Sequence, residues 1–101
     1  MHLVQILLPL TDPSGQNFRP QLYASVRETL THKFGGMTFH RNAPAEGLWV
    51  CDNGVAHDAI VTADVMVEDL DKDWWARYRA ELEKQFNQDE IVIRALPITK
   101  L

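Results

Sequence analysis

The chain has 101 residues, with 10 Lys and Arg against 14 Asp and Glu and a formal net charge of −4. A pI near 5.4 and the lack of a basic stripe argue against nucleic-acid phosphates or an anionic membrane surface as partners. The single cysteine, Cys51, excludes an internal disulfide framework and an iron–sulfur cluster, and no apolar run approaches the ~20 residues of a membrane helix. Length and composition predict one α+β domain over residues 1–101, with the cytoplasm as its address.

Residues 3–10 (LVQILLPL) are short and aliphatic, as a buried strand requires, and no Lys or Arg precedes them as a signal peptide would need. Asp12-Pro13-Ser14-Gly15 supplies the residues of a type I turn. Pro20 suits the first position of a helix. In that helix Leu22, Tyr23, Val26, Leu30 and Phe34 form one stripe, and Gly35-Gly36 ends it.

Residues 37–42 (MTFHRN) alternate as a second strand, and 43–47 are expected to form a loop. A hairpin is predicted around Asp52-Asn53-Gly54, flanked by Leu48 to Cys51 and Val55 to His57. From 57 to 67 the alternation is clear, with Ala59, Val61, Ala63, Val65 and Val67 on one side. A second helix is predicted from Lys72 to Phe86. Asp71 is its N-cap, Leu70 and Trp75 make a hydrophobic staple, and Trp75, Tyr78, Leu82 and Phe86 are its buried stripe. Asn87 is its left-handed stop, and IVIRAL (91–96) is the last strand.

An offset of 52 superposes Leu22-Tyr23, Val26, Leu30, Phe34 and Gly35 on Trp74-Trp75, Tyr78, Leu82, Phe86 and Asn87. Each half is then strand–helix–strand. Two such halves in one sheet predict a ferredoxin-like β-α-β-β-α-β plait with strand order 4-1-3-2 and both helices on one face.

Pleat phase then divides the residues of the sheet. Val4, Ile6, Leu8, Met37, Phe39, Ile91 and Ile93 join the helix side, with Phe34 and Phe86 buried at matching helix ends. The open face carries Leu3, Gln5, Leu7, Thr38, His40, Ile60, Thr62, Asp64, Met66, Val92, Arg94 and Leu96. About half of these are apolar, more than a solvent-facing sheet tolerates, so the face is expected to be an interface or a ligand groove. Self-association through Leu3, Leu7, Ile60, Met66, Val92 and Leu96 follows, as a homodimer with room for a small molecule.

The polar members of that face are the candidate site. His40 and Asp64 could act as an acid–base pair, because histidine titrates near neutrality. Arg94 could anchor a carboxylate or phosphate, with Gln5 and Thr62 beside it. His40, Asp64 and Arg94 are expected to line one cavity. Trp74, at the rim of its helical stripe, is a further ligand or subunit contact. The competing reading is an interface whose polar groups simply satisfy each other.

Cys51 with Asp52, His57 and Asp58 lacks zinc-type spacing, so neither a metal nor a cofactor is expected. RNA binding of the kind seen on this plait needs aromatic residues on the central strands, and the predicted open face of the first and third strands has none. The two remaining readings are a homodimeric interaction or ligand-binding module, and a small enzyme using His40 and Asp64. A flat closed contact would favour the first and a shared pocket the second.

The stretches FGG (34–36), EGLW (46–49), DWWARYRAELE (73–83) and QDEIVIRA (88–95) resemble a set of uncharacterised bacterial proteins of similar length. That resemblance implies no catalytic residues. At the level of architecture the plait is similar to the dimeric α/β-barrel proteins, which implies two sheets paired face to face with ligands held between them.

Overall fold

The computed structural model describes residues 1–51 and 54–101, of which 41–45, 47, 49, 51 and 55–58 are described by backbone alone. The elements run β1 (His2–Pro9), α1 (Pro20–Phe34), β2 (Thr38–Cys51), β3 (Gly54–Val67), α2 (Lys72–Gln85) and β4 (Ile93–Pro97). They form one antiparallel sheet in the order β2-β3-β1-β4, the plait topology that the repeat predicts.

Local chemistry sets the helix ends. Pro20 opens α1, and Gly35 closes it with φ 83, its N–H donating to the Thr31 carbonyl. Asp71 caps α2 by accepting from the Trp74 N–H at 3.1 Å. Asn87 takes φ 51 just beyond the end of α2. Between β1 and α1, Gly15 N–H closes the turn onto the Asp12 carbonyl. The Asp12 side chain accepts from Ser14 and from the Gln16 N–H, which holds its carboxyl below the usual range.

The core lies between the sheet and the helices. Val4, Ile6, Leu8, Val61, Ala63 and Val65 come from the sheet, Tyr23, Val26 and Leu30 from α1, and Trp75, Tyr78, Leu82 and Phe86 from α2 and its end. Ile91 is also buried, whereas Met37, Phe39 and Ile93 are only partly buried against this core. The Tyr23 ring is buried while its hydroxyl donates to the Pro9 carbonyl at 2.5 Å, so the one polar atom it carries inside is satisfied.

Two expectations need correction. Phe34 is half-buried, not fully buried like Phe86. It sits at the outer end of α1, where it packs on Trp74 and Trp75 instead of the sheet. The loop expected at 43–47 is also strand. β2 and β3 are each 14 residues long, and their register shifts between the His40–Thr62 and Ala45–Ile60 pairs. Pro44 suits this place because β2 is an edge strand, where a missing N–H costs no ladder bond.

Pairing between β1 and β3 stops at Pro9 and Ile60, so the far part of the β2–β3 hairpin projects as a two-stranded ribbon. Leu48 and Val50 are exposed on it. Of the predicted hairpin turn, Asp52 and Asn53 lie outside the described residues, and Gly54 has φ 117.

Candidate functional site

Strand register orders the open face into rows, because directly paired residues point the same way. One row is Arg94 on β4, Gln5 on β1, Asp64 on β3 and Thr38 on β2. The next row on one side is Leu96, Leu3 and Met66. On the other side Leu7 pairs with Thr62, which pairs with His40. A polar band therefore crosses the sheet between apolar flanks. Met66 is 53% exposed, Leu96 46% and Val92 44%, so the apolar flanks face solvent in the single chain.

Two side-chain contacts organise the band. His40 Nε2 lies 3.2 Å from Asp64 Oδ2, a diagonal contact between neighbouring strands. His40 is half exposed while the Asp64 side chain is only 17% exposed. The other carboxylate oxygen of Asp64 is buried with no hydrogen-bond donor among the described residues. At the far end, Arg94 Nε donates to Gln5 Oε1 at 3.0 Å.

His40 and Asp64 open on a cleft of about 590 Å3, bounded also by Leu3, Thr38, Met66 and the Gly35-Gly36 end of α1. Glu68 and Lys100 stand at its margin. Volume of this order suits a small ligand, and the half-exposed imidazole can offer a ring nitrogen to it.

The expected three-residue cavity does not form. Arg94 is absent from this cleft and borders a smaller groove of about 180 Å3 beside Leu70 and Lys72. β1 separates it from Asp64, and Gln5 takes its Nε, so among the described residues no ion pair joins Arg94 to Asp64.

Trp74 belongs to a different part of the molecule. Its ring packs against Phe34, Trp75 and Tyr78 on the helix side, with Lys33 Nζ 4.9 Å from the ring centroid. It borders a depression with His32 and Lys33, away from the polar band. Thr62 is on the open face as predicted, half-buried between Leu7 and His40.

The side chains of Cys51, His57 and Asp58, and Asp52 altogether, lie outside the described residues. Sequence reasoning missed the cleft wall formed by Gly35, Gly36 and Met1; pleat phase assigns strand faces but not the loops that close over a sheet edge. Among the described residues no helix is long and apolar enough to cross a membrane.

No protein-family model matches the sequence, and no curated protein does. Solved structures share the fold. A phage SAM lyase in complex with S-methyl-5'-thioadenosine is 14% identical, with a TM-score of 0.63 over 94% of this chain and 79% of the lyase. CutA from Pyrococcus horikoshii is 13% identical, with a TM-score of 0.61 over 100% of this chain and 87% of that one. At these identities the likeness is one of architecture: the chain is a ferredoxin-like α+β plait with an open antiparallel sheet.

Proposed function

We propose that the protein is a homodimeric small-ligand-binding or interaction module that works through the open face of its sheet. The observation that carries this is the exposure of Met66, Val92 and Leu96 on the face of the sheet that the helices leave open. Burying those side chains removes apolar area from water, and a second copy presents the same area in return. The cleft at His40 and Asp64 then lies at the edge of the contact and holds the ligand.

Sedimentation velocity at micromolar concentration tests the reading. A dimer is expected, and Met66→Lys should weaken it about tenfold or more, because the charge loses its water at the contact. A strictly monomeric wild type overturns the reading.

A second reading is a small enzyme, favoured by the His40–Asp64 hydrogen bond at the cleft. The carboxylate would orient the imidazole for proton transfer to or from a bound substrate. The shared fold makes SAM and S-methyl-5'-thioadenosine the first compounds to try. Turnover of SAM that His40→Ala abolishes supports it, and an inert wild type with no binding of either compound counts against it.

A further inference from the structure

We propose that Arg94 of one subunit completes the His40–Asp64 site of its partner. The inference rests on the sheet-face dimer above and names what that contact brings to the site.

The argument starts from the order of charge along one row. Arg94, Gln5, Asp64 and Thr38 follow one another across four strands spaced about 4.8 Å apart. The positive charge stands at the β4 end of the row and the negative charge toward the β2 end. Asp64 has a half-exposed imidazole on one oxygen and, among the described residues, no donor on the other, so its charge is under-compensated by those residues. Arg94 is exposed, and its Nε is the donor that Gln5 takes, so among the described residues no hydrogen bond engages its terminal NH2 groups.

Two copies can close face to face by a two-fold axis in two simple ways. An axis lying across the strands along this row would set Arg94 over the partner's Arg94 and Asp64 over the partner's Asp64. Like charges would then be desolvated together, which disfavours that arrangement. An axis running along the strands, between β1 and β3, reverses the row. Gln5 then faces the partner's Asp64, and Arg94 faces the β2 end, where Thr38 and His40 stand. Leu3 meets the partner's Met66 in the adjoining row, so the same axis joins apolar to apolar.

Packed sheets stand about 10 Å apart, a gap that an extended arginine spans. The guanidinium from one subunit thus enters the cleft edge of the other. There it offsets the Asp64 carboxylate and presents donors to an anionic ligand group. The ligand class that this site takes is a small molecule with a carboxylate or phosphate, bound between an imidazole and a guanidinium from different chains.

Charge reversal in trans tests the proposal. Arg94→Glu and Asp64→Arg are prepared separately as full-length proteins, and their folding is checked by circular dichroism. Each alone should dimerise about tenfold or more weakly than wild type, since like charges meet twice in each homodimer. Mixed in equal amounts, they should form a heterodimer near wild-type affinity, because both contacts are then of opposite sign.

A mixture no tighter than its components, with a wild type that dimerises, overturns the Arg94 contact and leaves the sheet-face reading standing. A monomeric wild type overturns both. Should Asp64→Arg fail to fold, exposed positions serve instead in a Cys51→Ser background. Thr38→Cys and Arg94→Cys should be joined by a short bis-maleimide when mixed and not when alone. Self-linking of either variant overturns the axis.

Discussion

The rings of Phe34 and Trp75 lie parallel, 3° apart in plane and 5.3 Å apart in centroid, which joins the end of α1 to the first turn of α2. Trp74 meets both edge-on, so three rings bind the helices to each other at the rim of the core. Phe86, by contrast, is fully buried and touches Phe18 and Tyr23. The two phenylalanines that end the repeat therefore contribute unequally. Phe86→Ala should cost ~3–5 kcal/mol, the range for a buried aromatic. Phe34→Ala should cost roughly 1–2 kcal/mol, mostly lost ring packing. Urea titrations of both variants check the order, and equal losses would contradict the burial.

The helix ends give a second pair of expectations. Asp71→Ala removes the acceptor of the Trp74 N–H and should cost about 1 kcal/mol. Gly35→Ala meets no atom within 4 Å, so only its positive φ resists the methyl group. A cost of roughly 1–2 kcal/mol follows from left-handed backbone in a residue with a Cβ. Thermal unfolding of the two variants measures both, and a neutral Gly35→Ala would place the α1 terminus elsewhere.

Alkaline stability should depend on Tyr78. Burial, with Glu81 nearby, pushes its hydroxyl up to about 12 from the ordinary tyrosine value, and a hydrogen bond with Thr29 offsets part of this. Below pH 10 the group is neutral in both states and its contribution is complete. Between about pH 10 and 12 the unfolded chain ionises first, so stability falls as pH rises, by on the order of 2 kcal/mol in total. Denaturant titrations across that window should show the fall in wild type and less of it in Tyr78→Phe.

Acid should act through Asp12 in the opposite direction. Its carboxylate accepts from Ser14 and Gln16, so its folded pKa is lowered, and its contribution is present above the unfolded value. That contribution is lost as pH falls through the folded value. Asp12→Asn should flatten this part of the acid limb when unfolding is followed by fluorescence.

The strands that alternate cleanly were legible because pleat period alone fixes their faces. Asp64 and His40 reach the same side for that reason, and register brings them together. The position of Arg94 relative to them was not legible, since a side chain's reach across β1 depends on whether Gln5 captures it first. β2 was cut short in the sequence because Pro44 and Gly47 carry turn chemistry, which an edge strand with a register shift absorbs. The offset of 52 correctly pairs Tyr23 with Trp75 and Leu30 with Leu82 as buried residues. It fails at Phe34, where tertiary packing and not helical period sets the depth.

β1 occupies the middle of the sheet, yet both of its neighbours come late in the chain: Ile6 is flanked by Ala63 and Ile93. β1 is thus made before either of its neighbours, with no partner in this sheet until β3 exists, and one edge stays open until β4 arrives. Its sequence, HLVQILLP, is apolar and β-prone, with Gln5 its one polar break before Pro9. During synthesis this segment is a sticky ribbon awaiting its partners, and the local β2–β3 hairpin gives it a first template to dock on. Closure of the sheet therefore waits on long-range pairing, the slow kind, and not on any contact that β1 can make locally.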